Sequence, residues 1–317
     1  MKITLGYVSI ALKMPNITTS STVTYSHYKK LKEEEKLTKL INVSRSNLNS
    51  LYSILKYNIK NNITFYRMTS SLIPLATHPE VFFNYREIFY KYFSYIGEYI
   101  NANNIRIDTH PDHFNVINSL NSKVVEDTKR NLLFHVNLFE DLNYKKGKMI
   151  LHVGSKSGGI EESSNRFIKN FKSYPKDITS KIILENDDKS FTALDTLKIC
   201  ETLKIPMVFD YHHHKCNPCS DNLYNILNKF INTWENEELN PKIHFSSPRE
   251  NKLDRKHADF INAIEFANFL EVCKIFNTDL DIMLEAKMKD LSLFKLVKDI
   301  KRLRPNWKFI NESTFLV

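Results

Sequence analysis

The stretch Pro206 to Pro218, P-M-V-F-D-Y-H-H-H-K-C-N-P, holds the densest set of chemically capable side chains. The apolar run Met207, Val208, Phe209 reads as a short buried strand, and Asp210, His212, His213 and His214 follow it directly. A carboxylate and imidazoles at a strand end are ligands for a divalent metal. Three adjacent histidines can also be an ordinary surface cluster, and recurrence separates the two readings. Other apolar runs in the chain are followed at once by His110, His152, Glu185, His244 (two residues after Lys242) and Glu285. One ion does not accept so many ligands, so two or three ions are expected. Mixed carboxylate and imidazole donors suit Mn²⁺ or Zn²⁺ better than Ca²⁺ or Mg²⁺. Clustered ions can ionise a water and stabilise the attacking and leaving oxygens of a phosphodiester. Metal-dependent hydrolysis of a nucleic-acid backbone is therefore the leading expectation. A divalent-metal sugar isomerase or epimerase, and a non-catalytic DNA-binding protein, are the alternatives.

The elements that must position these side chains alternate along the chain. Strand-like runs fall at Ile3–Tyr7, Thr64–Met68, Ile105–Thr109, Met149–Val153, Lys181–Leu184, Met207–Phe209, Lys242–Phe245 and Asp281–Leu284. Helical spacing of apolar residues lies between them, at Lys30–Tyr57, Glu80–Ile100, Val124–Leu142, Ser163–Phe171, Ala193–Leu203, Asn222–Asn232, Ile261–Phe276 and Leu291–Leu303. Eight such units predict an α/β chain folded as a single (β/α)₈ TIM barrel over residues 1–317, with no second domain. In that fold all strand C-termini share one face, where residues distant in sequence converge.

Composition narrows the partners. Forty-five Lys and Arg against 36 Asp and Glu give a net charge of +9, which suits a polyanion. A Lys-, Asn- and Ile-rich chain can also reflect coding bias. No GxGxxG or GxxxxGK[ST] run is present, so no nucleotide cofactor is expected, and there is no G-x-S-x-G elbow. Four cysteines are few for the length, which predicts a reducing, cytoplasmic setting. Cys216-Asn-Pro-Cys219 has redox or zinc spacing but no second pair, and reads as loop thiols. The apolar run Ile3 to Leu12 imitates a signal peptide, yet Lys13 and Pro15 follow without a cleavage site, so a first strand is expected. No run approaches the roughly 18 apolar residues of a membrane span.

Taken together, several motifs resemble the UV damage endonucleases, also called UV damage repair endonucleases. They are L-G-Y (5–7), Y-R-M-T-S-S-L-I-P-L-A-T-H-P (66–79), T-H-P (109–111), L-H-V-G (151–154), L-E-N-D-D (184–188), F-D-Y-H-H-H-K-C-N-P (209–218), P-K-I-H (241–244) and M-L-E-A-K (283–287). The resemblance spans Leu5 to Lys287. It implies a TIM barrel close to that of the three-metal apurinic endonucleases. It also implies ATP-independent nicking of double-stranded DNA on the 5′ side of UV photoproducts, leaving a 3′-hydroxyl and a 5′-phosphate. The cofactor implied is a cluster of two or three divalent ions, manganese first, with zinc or magnesium as alternatives. The acting species is expected to be a monomer.

The resemblance also assigns residues. His110, His152 and Glu185 match the ligands of one ion. Glu185 bridges to a second, held also by Asp210, His244 and Glu285, and His213 and His257 match ligands of a third. Glu185, Lys242 and Tyr7 are the implied catalytic residues. Lys242 matches a lysine that can be carboxylated beside the metals, with a plain phosphate-binding lysine as the alternative. Tyr7, Arg67 and His78 match residues lining the DNA site, although His78 could instead be structural. One departure stands out. The family has Gln-Tyr after H-P-G, a pair that wedges into the damaged duplex, whereas this chain has Asp112-His113-Phe114 after His110-Pro111. Phe114 keeps a stacking face and His113 a polar head.

Overall fold

In the computed structural model, which describes residues 1–317, eight parallel strands close into a barrel. They are β1 (Lys2–Val8), β2 (Phe65–Met68), β3 (Arg106–Thr109), β4 (Lys148–His152), β5 (Ile182–Glu185), β6 (Met207–Asp210), β7 (Lys242–Phe245) and β8 (Leu280–Leu284). Each pairs with its neighbours in sequence, and β1 closes the ring by pairing with both β8 and β2. This is the (β/α)₈ barrel expected from the alternation of strand and helix patterns. Two short strands lay outside that expectation, β9 (Lys308–Phe309) and β10 (Thr314–Leu316). β10 runs antiparallel to the start of β1, from Lys2↔Leu316 to Thr4↔Thr314. There it covers the edge that β2 leaves free, since β2 joins β1 only at Tyr7↔Tyr66 and Val8↔Arg67.

The helices cover the outside for the reason their spacing gives. Helix Glu33–Lys60 turns Leu40, Leu48, Leu51, Ile54 and Leu55 inwards. Helix Ala193–Leu203 has the predicted bounds. Thr192 caps it by accepting from the Asp195 N–H, while Asp195 accepts from the Thr192 N–H at 3.1 Å. The expected helix from Glu80 to Ile100 is instead a turn at Tyr85–Ile88 followed by Tyr90–Ala102. The main apolar core lies between these helices and the outer face of the strands, where Leu5, Ile107, Leu184, Phe209 and Ile282 are buried.

The inside of the barrel is different. By alternation with His152, Glu185 and Asp210, the buried Ile150, Ile183 and Val208 face the interior, beside the small cluster Val8, Phe65 and Met283. Gly6 makes room for it, because a Cβ there would lie 2.6 Å from the Phe65 carbonyl oxygen and 2.7 Å from its ring. Across the axis runs a ladder of buried ion pairs between facing strands. Arg106 and Asp281 pair at 2.6 Å near the strand N-termini, Lys242 and Asp108 pair in the middle, and Arg67 and Glu285 pair towards the C-terminal mouth. Enclosed pairs cost desolvation that their mutual attraction only partly offsets. This interior is thus shaped for charge placement more than for stability.

Candidate metal centre

Strand alternation fixes which side chains enter the barrel. On β3, Arg106, Asp108 and, just beyond it, His110 share the inner face. On β7 the inner residues are Lys242 and His244. Glu185 ends β5 and is 1% exposed. Four imidazoles surround its carboxylate. His244 Nδ1 lies 2.9 Å and His213 Nδ1 3.4 Å from Oε1, while His110 Nε2 lies 3.0 Å and His152 Nε2 3.6 Å from Oε2.

Asp210 and His213 are set by a helical turn, Tyr211–Cys216, that the sequence reading did not include. The Asp210 carboxylate caps it, accepting the His213 N–H at 2.6 Å, which directs the His213 ring back over the mouth. Asn186 locks β5 to β6. Its amide oxygen accepts from the Asp210 N–H at 2.9 Å and its amide nitrogen donates to the Asp210 carbonyl at 3.0 Å.

Three groupings of donors result, each with atoms within 4.8 Å of one another: His110, His152 and Glu185; Glu185, Asp210 and His213; and Asp210, His244 and Glu285. They overlap through Glu185 and Asp210. His257 is set apart. It stands in the loop after β7, with Nδ1 3.9 Å from Glu285 and its ring 6.5 Å from that of His213. His213 and His257 are therefore not drawn together with a third donor in this conformation.

The electrostatics are those of a cation site. Burial alone would raise the Glu185 and Glu285 carboxyls, yet both are held well below the usual range, Glu185 by the imidazoles and Glu285 first by Arg67. Asp210 has less help. Burial pushes it up to about 8, against the pull of His213. Its Oδ2 is buried and has no hydrogen-bond partner. Burial also lowers His213, but Asp210 and Glu185 outweigh it and raise that imidazole well above its ordinary value. Burial lowers His152, and brings His244 down to about 4. His152 and His244 held neutral beside the ionised Glu185 and Glu285, with an unpartnered Asp210 oxygen among them, fit divalent ions.

The remaining expected site residues divide. Arg67 lines a cavity of about 330 Å³ at the mouth, with Ser70, His113, His152 and Glu285. His113 and Phe114 stand beside it, and Phe114 is 57% exposed, which excludes a core role. His78 lies off the cluster, stacked on Tyr25 at 3.8 Å, in a neighbouring groove that Phe114 also lines.

Tyr7 is a correction. Its neighbours Gly6 and Val8 face inwards, so Tyr7 points out between strands and helices. There it is fully buried and donates to Asn58 Oδ1 at 2.6 Å. It can reach neither the donor cluster nor DNA in this conformation. Lys242 is also fully buried, one residue layer beneath His244 and paired with Asp108. A phosphate-binding role is therefore closed to it. Burial brings its ammonium down to about 8, with Asp108 opposing. Asp108 was not among the expected residues. The R-I-D-T-H spacing that places it two residues before His110 is the signal that could have found it.

Fold and mouth together define a (β/α)₈ barrel with a carboxylate–imidazole cluster at the strand C-termini. The comparisons specify it further. The family model of the UV-endonuclease UvdE matches residues 3–312, so the chain belongs to that family. A UV DNA damage endonuclease of Bacillus cereus (strain B4264) is 38% identical over 305 residues, covering 96% of each chain. The solved structure of SacUVDE is 36% identical with a TM-score of 0.85, covering 95% of this chain and 99% of that one. Endonuclease IV from Thermus thermophilus shares the fold at 10% identity, with a TM-score of 0.54 over 81% of this chain and 94% of its own.

Proposed function

We propose that this chain is a single-domain, metal-dependent DNA repair endonuclease. It nicks damaged double-stranded DNA on the 5′ side of UV photoproducts and leaves a 3′-hydroxyl and a 5′-phosphate. The observation that carries the reading is the convergence of four imidazoles on Glu185, with Asp210 and Glu285 beside it, in a UvdE-family chain. His110, His152, Glu185, Asp210, His213, His244 and Glu285 would hold two or three ions, with His257 joining if its loop closes on the mouth. Manganese is the ion proposed first, with zinc or magnesium as alternatives. Bound there, divalent ions would lower the pKa of a water and neutralise charge on the scissile phosphate.

The chain's own residues do the remaining work. The Asp210 cap fixes His213, and Asn186 fixes Asp210, so the ligand geometry exists before DNA arrives. Arg67 holds Glu285 in place and adds positive charge where a phosphate would sit. Phe114 and His113 project beside the mouth, where a ring can enter a weakened stack. A crosslinked pyrimidine pair stacks poorly and is cheap to open, so selection can rest on deformation energy. The protein is proposed to act as a monomer in the cytoplasm, without a nucleotide cofactor, and no helix is long and apolar enough to cross a membrane.

Glu185→Ala tests the reading, since Glu185 is shared between donor groups. The variant should stay folded, bind fewer ions by elemental analysis and lose incision. Full incision by a folded Glu185→Ala protein would falsify the shared-ligand arrangement.

A further inference from the structure

The loop after β3 divides two cavities. Asp112 and His113 line the cavity over the donor cluster. Asp112, Phe114 and Asn115 line the neighbouring groove, of about 400 Å³, together with Phe134 and His135 of helix Ser122–Asp141. That volume falls within the roughly 300–1,000 Å³ of small-ligand sites. The proposed metal chemistry makes no use of this groove.

Two buried polar groups that line it have no partner. His135 is 3% exposed, and its Nδ1 is buried and unpaired. Asn115 is also buried. Its amide nitrogen donates to the Asp112 carbonyl at 2.8 Å, which fixes the amide and leaves Oδ1 without a donor. Such groups cost free energy until water or a ligand pairs them. Charge selects the class of ligand. Arg130 is the only lysine or arginine lining the groove, and it is committed: Nε donates to the Thr77 carbonyl and Nη2 to Asp127, each at 2.8 Å. Asp112 adds a second carboxylate. A phosphate finds no free lysine or arginine here. A neutral heterocycle with N–H groups and ring nitrogens finds an acceptor, an imidazole and the rings of Phe114 and Phe134.

We infer that the groove receives a purine of the undamaged strand, one of the two that face the photoproduct, and that Asn115 and His135 hold its edge. A photoproduct joins two pyrimidines, so the bases opposite are purines. The damaged pair is tethered to the scissile phosphate, which keeps it on the donor-cluster side of the loop. When the Phe114 ring enters the stack, a base across from the lesion has lost its pairing partner and meets the Phe114 side. Either purine brings an N–H for Asn115 Oδ1, the amino group of adenine or the N1–H of guanine. The inference rests on the proposed endonuclease reading and adds the second strand to it. Its test reads binding and not incision, so the two can fail separately.

The experiment measures binding of Mn²⁺-loaded protein to a duplex carrying a cyclobutane thymine dimer. Methylene replaces the scissile 3′-oxygen, which blocks cleavage and keeps the charge. Two adenines, or two abasic residues, face the dimer. His135→Phe removes both ring nitrogens, of which Nδ1 has no partner to lose, and circular dichroism checks its fold; His135→Leu serves if it does not fold. Binding should weaken about 5- to 15-fold with adenines opposite and stay unchanged with abasic residues opposite. His135→Asn or His135→Gln, whose amide replaces one or the other ring nitrogen, should recover most of the loss. Equal losses on the two duplexes would mean that the groove serves the damaged strand or the wedge alone, and would overturn the inference. No loss on either would leave the groove to water and overturn it as well. A wild-type protein that fails to bind the dimer duplex would sink the endonuclease reading itself, and the inference with it.

Discussion

Replacing Phe114 by alanine separates DNA recognition from folding. Phe114 follows the His110-Pro111 end of β3 and is 57% exposed, with its ring 6.2 Å from that of His113. A buried phenylalanine loses about 3–5 kcal/mol of stability on truncation to alanine. A surface side chain such as this one should lose about 0.5 kcal/mol or less. Stacking of a ring on a base contributes about 1–3 kcal/mol, so binding to a UV-damaged duplex should weaken by about 5- to 150-fold. The loss should fall on damaged DNA, because an intact duplex resists opening of its stack. Melting temperature, metal content, and binding to irradiated and unirradiated duplexes would be measured on the same variant. A large fall in melting temperature with an unchanged damaged-to-undamaged binding ratio would refute the reasoning.

Three further outcomes follow from the same structure. Arg67→Ala takes from Glu285 its guanidinium partner and leaves only His244 and His257 facing it beside Glu185, so the metal-free protein should lose about 3–5 kcal/mol, part of which Mn²⁺ restores; equal losses with and without Mn²⁺ would count against ion binding beside Glu285. In metal-free protein, Asp210 and His213 keep protons that the unfolded chain has already released above about pH 6.5. The native state then binds more protons, so stability should fall as pH rises from about 6.5 past 8, and Asp210→Asn should flatten that fall; a wild-type melting temperature that rises over this window would contradict it. With a net charge of +9, binding to damaged duplex should weaken steeply with salt, each phosphate contact adding about −0.9 to the log–log slope. Binding that ignores salt between low and physiological strength would rule out backbone tracking by the basic face.

Much of the barrel was legible because its strands are short apolar runs ending in polar residues. Lys242–Phe245 and the helix Ala193–Leu203 have their expected bounds. The β10 pairing was not legible, because Thr314–Leu316 is short and its partner on β1 is remote in sequence. Helix Tyr211–Cys216 was hidden by its histidines, although Asp210 three residues before His213 is a capping spacing. Within the site, strand ends located His110, His152, Glu185, Asp210, His244 and Glu285 by their types alone. The placement of Tyr7 failed because both faces of a barrel strand are buried, so an aromatic ring gives no sign of its direction. Lys242 and His244 do share a face by alternation, and that period also puts Lys242 a layer deeper, beside Asp108. His257 lies in a long loop, where no period fixes the direction of a side chain.

The most direct measurement of the central claim is incision of an end-labelled, UV-irradiated duplex by metal-stripped protein. Reactions would run in chelator and after Mn²⁺, Zn²⁺ or Mg²⁺ is restored, with an unirradiated duplex beside them. The account predicts no cleavage in chelator. Once ions are restored, it predicts a nick immediately 5′ to the photoproduct with an extendable 3′-hydroxyl, on irradiated DNA only. Cleavage that persists in chelator, or failure to cut at photoproducts with any of the three ions, would contradict it.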